Sequence, residues 1–137
     1  MSEDNWFYEP PAFLKLLGCN GFDYDDGSDA VIMHFDVSKE FAHTGGTIIQ
    51  GGFITAMLDT SMGHAVANKM EGKANCATLN ISVNFLRPGR PGKLYAKGSI
   101  TQLGTTIAYT ESRLYQDDVL IRSEEHTSEL QSRPHIS

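Results

Sequence analysis

Gln50-Gly51-Gly52 opens a long run of helix-forming residues, and a single carboxylate, Asp59, follows eight positions after Gly51. A carboxylate is costly to bury, and glycines at a helix start forgo side chains that would add packing. Both choices serve chemistry better than stability. A helix N-terminus leaves N–H groups without intrahelical acceptors, and glycines there let a negative oxygen approach the backbone closely. Eight helical residues rise about 12 Å, so Asp59 cannot reach the start of its own helix. If the carboxylate and the amides act together, they come from different chains. Two copies packed side by side would set Asp59 of one opposite Gly51 of the other, which predicts a symmetric dimer with sites at its interface.

Several elements must position these groups. Asn5 to Leu17 predicts a short helix, with prolines in its first turn and Gly18 as its stop. A hairpin follows, its turn marked by Asp26-Gly27 and its second strand running from Ala30 to Val37. Gly52 to Met70 is the long helix, apolar almost all round and therefore buried on most sides. In "CATLNISVNFLRP", Leu79, Ile81, Val83 and Phe85 alternate with Asn80, Ser82 and Asn84, as in a strand with one apolar face. "KLYAKGSITQLG" and "TIAYTESRLYQDD" are two more strands, and "VLI" starts another. One long apolar helix beside consecutive antiparallel strands predicts an α+β fold, a curved antiparallel sheet wrapped around the helix.

The bulk numbers agree with one domain. The chain has 137 residues, and its 40% hydrophobic and 20% charged content is that of a globular protein. A net charge of −6 argues against nucleic acid as a partner. No apolar run approaches the roughly 20 residues of a membrane span, and the acidic N-terminus has no signal-peptide core. Cys19 and Cys76 are too few for a disulfide framework or a metal site. These features point to a cytoplasmic domain with no metal, no nucleic-acid partner and no membrane partner.

From Arg122 the character of the chain changes. "RSEEHTSELQS", Arg122 to Ser132, resembles an in-frame translation of a common short-read sequencing adapter. The expected organisation is therefore a domain over residues 1–121, with its final strand truncated, and a non-native tail over residues 122–137. His126 and His135 fall in that tail.

"GTIIQGGFITAMLDTSMGHA" followed by "TLNISVNFLRP" resembles the hotdog-fold acyl-CoA thioesterases of the PaaI-like type. The resemblance spans about Gly18 to Ile121. It implies that Asp59 is the general base or the nucleophile acting on a thioester carbonyl, and that the Gly51 N–H holds the developing oxyanion. By the same resemblance, the Gln50 amide donates to the thioester, Gly52 lies against the substrate and the Thr78 hydroxyl orients water. The substrate would be an acyl-CoA, with no separate cofactor, and the assembly a homodimer or a dimer of dimers. Two positions depart from the pattern. Thr44, beside His43, stands where relatives carry asparagine, and Gln50 stands where many carry histidine. Gln50 cannot protonate a leaving thiolate as an imidazolium could.

"RPGRPGK" puts Arg87, Arg90 and Lys93 in one short turn. In an acidic protein this cluster fits contacts with the phosphates of coenzyme A, or an ordinary solvated turn. His34, His43 and His64 are expected to be a strand, a loop and a packing histidine. Two other functions compete: a non-catalytic acyl-CoA-binding hotdog domain, which has no use for a carboxylate aimed at the thioester, and a hotdog hydratase, which needs a helix histidine paired with an acid.

Overall fold

A computed structural model describes residues 12–25, 27–72, 74–117 and 119–134, with side chains over 12–25, 27–72 and 76–117. Residues 5–11 of the first expected helix, and Asp26 of the expected turn, lie outside the described residues. In chain order the elements are α1 (Ala12–Leu16), β1 (Cys19–Asp25), β2 (Ala30–Val37), β3 (Ala42–His43), β4 (Ile48–Ile49), α2 (Gly51–Lys69), β5 (Ala74–Ile81), β6 (Asn84–Phe85), β7 (Gly92–Leu103), β8 (Ile107–Gln116) and β9 (Val119–Pro134).

Seven strands form one antiparallel sheet in the order β1-β2-β7-β8-β9-β5, with β6 alongside β9. β3 and β4 form a separate two-stranded ribbon just before α2. This is the α+β architecture that the sequence pattern predicts and that the resemblance names as the hotdog fold. Alternation along the strands supplies the face that covers the helix. Val31, Met33 and Phe35 of β2, Leu94 and Ala96 of β7, and Leu114 of β8 pack with Ile54, Met57, Leu58 and Ala65 of α2 in one buried cluster. Leu14 of α1 joins it, and Gly18 ends that first segment with φ +84°. A side chain at Gly18 would run into the Asp36 carbonyl, so glycine is required there on both counts.

The helix meets the sheet most closely at Gly98 of β7, where a Cβ would collide with the Ser61 carbonyl. Beside that contact, the buried Ser61 hydroxyl lies 2.8 Å from the Leu58 carbonyl and 2.6 Å from the Ser112 Oγ of β8. A glycine and two serines thus seat α2 on β7 and β8 without an apolar spacer.

One expectation changes. The strand expected from Cys76 through Pro88 stops at Ile81, and only Asn84–Phe85 pair again. Its apolar face is covered only in part: Ile81 and Val83 pack against the buried clusters, whereas Leu79 is 52% exposed and Phe85 58%. The reason is position, because β5 lies at the end of the sheet, with β9 as its only strand neighbour among the described residues. The strand beginning at "VLI" does not break at Ile121. Its backbone continues to Pro134, pairing with β8 on one side and with β5 and β6 on the other. The residues expected to form a tail therefore have strand backbone between β8 and β5.

Candidate active site

Gln50 is the N-cap of α2, in extended conformation, and its Oε1 accepts the Gly52 N–H at 2.7 Å. A Cβ at position 52 would lie 2.8 Å from that amide oxygen, the far end of a flexible side chain that can shift to make room. The Gly52 N–H is already used by the cap. The Gly51 N–H has no hydrogen-bond partner among the described residues and stays available. Gln50 itself acts first as a cap, with its oxygen committed to the backbone and its NH2 group left to donate.

Asp59 lies on the less buried side of α2, in line with Gly52, Ala56 and Gly63, whereas Leu58, Ser61 and Met62 face the core. Its Oδ1 accepts a 2.7 Å hydrogen bond from the Thr78 hydroxyl of β5. A carboxylate and a hydroxyl 19 positions apart in sequence thus meet where the helix passes the edge strand. The remaining carboxylate lone pairs can accept a proton from water or from a second donor. Gly51 and Asp59 belong to one uninterrupted helix, so their roughly 12 Å axial separation stands.

A groove of about 330 Å³ opens beside the start of α2, lined by His43, Ile48, Ile49, Gly51, Phe85, Leu86, Arg87, Pro88 and Gly89. Backbone bonds hold its walls together: the Ile49 N–H donates to the Gly89 carbonyl at 2.8 Å and the Gln50 N–H to the Phe41 carbonyl at 2.9 Å. Of the three expected phosphate ligands, only Arg87 lines this groove. The Arg90 guanidinium donates to the Thr47 carbonyl at 3.3 Å, and the Arg90 backbone exchanges hydrogen bonds with the Gln116 side chain. Lys93 lines a different groove, shared with Asn20, His34, Tyr95 and Asp117. The turn therefore divides into one cation beside Gly51, one that ties the turn to the loop before α2, and one elsewhere.

Sequence spacing does not bring His43, Phe85 and Leu86 to Gly51; the β3–β4 ribbon and the segment around β6 do. The only local signal was the glycine-rich Thr44-Gly45-Gly46 turn, where all three residues have positive φ. His64 is a packing histidine as expected, 1% exposed, stacked on Phe22, with its Nδ1 2.9 Å from the Thr60 carbonyl. Burial pushes its pKa down, only partly offset by that carbonyl. Burial pushes the thiols of Cys19 and Cys76 up, against thiolate chemistry at neutral pH. No group of three metal-ligating side chains occurs among the described residues, and no described helix is long and apolar enough to cross a membrane.

The model of the thioesterase superfamily matches residues 46–121, which include Gly51, Asp59 and Thr78. The chain belongs to the thioesterase superfamily. A relative from Halobacterium salinarum, named as an esterase, is 28% identical over 107 residues, covering 77% of this chain and 70% of the relative. Among solved structures, a thioesterase-named, phenylacetic acid degradation-related protein from Ralstonia eutropha superposes with a TM-score of 0.83 at 25% identity. That likeness covers 94% of this chain and 98% of the other. A Bacillus halodurans protein whose structure was solved with CoA has a TM-score of 0.66 at 20% identity, over 82% of this chain and 71% of its own. Thioester hydrolysis is the chemistry in common to the family and the thioesterase-named neighbour.

Proposed function

We propose that this thioesterase-superfamily chain hydrolyses acyl-CoA thioesters to a carboxylic acid and free CoA, with no metal or separate cofactor. The observation that carries the reading is the Thr78–Asp59 hydrogen bond, which orients the one carboxylate on the open side of the central helix. Asp59 acts as general base on water or as nucleophile on the carbonyl, and Thr78 holds the carboxylate or the water it activates. The Gly51 N–H, left open by the Gln50 cap, donates to the oxygen that becomes negative when the carbonyl is attacked. The helix dipole favours charge at the same point.

Because one helix keeps these groups apart, each site combines Gly51 of one protomer with Asp59 of the partner subunit. An edge strand with exposed Leu79 beside Thr78 supports such pairing of two copies. The CoA portion runs along the groove beside Gly51. Ile48, Ile49, Phe85 and Leu86 offer it apolar walls, and Arg87 offers its phosphates a bidentate cation. The CoA-bound neighbour supports this choice of leaving group. The test is a panel of acyl-CoAs from acetyl to long-chain and aromatic, with release of free thiol followed continuously. Turnover of at least one member is expected. Saturable binding of acyl-CoA with no thiol release would instead make the protein a non-catalytic binding domain.

A further inference from the structure

We infer that His43 is the general acid that protonates the departing thiolate, an assignment that rests on the acyl-CoA hydrolase reading. A proton delivered to sulfur assists C–S cleavage in an acyl-CoA, because an alkanethiolate leaves less readily than an arylthiolate and the product is released as the thiol. Gln50 cannot supply that proton, and Asp59 is one proton acceptor serving the attacking side. His43 and Gly51 line the same groove, and among the groove's residues only His43 and Arg87 carry ionisable side chains. An arginine stays protonated. An imidazole is suited to proton transfer near neutral pH.

The backbone fixes His43 relative to the oxyanion donor. His43 pairs with Ile48 and Ala42 with Ile49, and Gln50, the residue before Gly51, is hydrogen-bonded to Phe41. The strand carrying the imidazole is therefore tied to the strand that leads into the helix start. The intervening turn is closed by the Thr47 N–H on the His43 carbonyl at 3.1 Å and by the Thr47 hydroxyl on the Thr44 carbonyl at 2.7 Å. Thr44 Oγ1 lies 2.8 Å from His43 Nδ1, which engages that nitrogen and leaves Nε2 to exchange the proton. Thr44 thereby becomes a positioning residue for the imidazole.

The proton balance closes. With Asp59 as base, it takes a proton from water and the hydroxide adds to the carbonyl carbon, whose oxygen takes the charge beside the Gly51 N–H. The carbonyl reforms, the C–S bond breaks with its electron pair going to sulfur, and His43 Nε2–H gives its proton to that sulfur. Free CoA leaves as the thiol. His43 regains a proton from solvent, and Asp59 and the carboxylic acid lose theirs to it.

Leaving-group chemistry tests the assignment. Wild type, His43→Gln and Asp59→Asn are compared on the best acyl-CoA of the panel and on the S-4-nitrophenyl thioester of the same acid. The aryl thiolate leaves without protonation. His43→Gln is expected to slow the acyl-CoA about a hundredfold, within the usual range for losing a general acid, while the aryl thioester is little affected. Asp59→Asn should slow both. Equal losses on the two substrates in His43→Gln, or no loss on acyl-CoA, would overturn the role of His43 while leaving the hydrolase intact. A wild-type chain that turns over neither substrate removes the hydrolase reading, and the acid with it.

Discussion

Thr78 Oγ1 donates a 2.7 Å hydrogen bond to Asp59 Oδ1, joining the edge strand β5 to the open face of the central helix. Asp59→Asn keeps the shape of the side chain but removes its basicity, so kcat should fall by about a hundredfold or more. Thr78→Val removes one hydrogen bond to a charged group, worth about 1.5–3 kcal/mol, and should lower kcat by about tenfold or more. Steady-state kinetics on the best acyl-CoA, with circular dichroism to establish folding, checks both. Wild-type turnover in a folded Asp59→Asn chain would remove Asp59 from the mechanism.

Shared sites make a prediction about mixtures. Gly51→Pro deletes the N–H expected to hold the oxyanion, and proline is well tolerated at a first helical position. Alone, Asp59→Asn and Gly51→Pro should both be nearly inactive. A heterodimer of the two contains one site with both defects and one with neither. Purified through two different tags, it should recover up to about half the wild-type activity per dimer, as expected for one intact site out of two. Absence of recovery, with both parents still folded dimers, would mean that Asp59 works with donors from its own chain.

His64 gives the fold a defined response to acid. Its pKa in the folded chain is pushed below the ordinary histidine value of 6.5, mainly by burial and partly offset by the Thr60 carbonyl. The unfolded chain then binds a proton first as pH falls. Stability from the neutral, buried ring is complete above about 6.5 and is lost as pH drops toward the lowered folded value. Melting temperature should therefore decline across this window in wild type. In His64→Gln, which keeps a donor for the Thr60 carbonyl, the decline should be shallower. An equal slope in the two proteins would assign the acid sensitivity to other groups.

Residues 122–134 occupy strand positions although Arg122 to Ser132 resemble a translated adapter. Side chains not selected for a sheet interior should stabilise it poorly. Replacing residues 122–134 by an alternating valine–threonine strand is expected to raise the melting temperature and reduce aggregation. Deleting them should lower it, because β5 would lose its only described strand neighbour. Thermal melts of the three proteins decide the matter, and a replacement less stable than the parent would favour a sequence fitted to its place.

Much of this architecture was legible because periodicity reports which face is buried. The α2 helix is expected over Gly52–Met70 and found over Gly51–Lys69, and β7 and β8 fall where the alternation puts them. The resemblance singled out Asp59 and Thr78 separately, and the hydrogen bond between them is visible only in the fold. Contacts made by side chains folding back on the chain were not legible. Gln50 reads as a donor to substrate but commits its oxygen to the Gly52 N–H. Arg87, Arg90 and Lys93 read as one cluster. An irregular turn that carries Arg87 and Arg90, and a strand start that carries Lys93, separate them. The exposure of Leu79 and Phe85 was hidden for a related reason: alternation tells which side chains share a face, not how much of it another layer covers.

The eight-residue interval between Gly51 and Asp59 also limits how the gene can vary. Removing one helical residue between them turns the carboxylate by about 100°, into the place now held by Leu58, which is fully buried. Thr78 would then face Thr60 in place of the carboxylate, while an uncompensated charge entered the core. Codon insertions and deletions should accordingly be absent from this stretch in lineages that keep the activity.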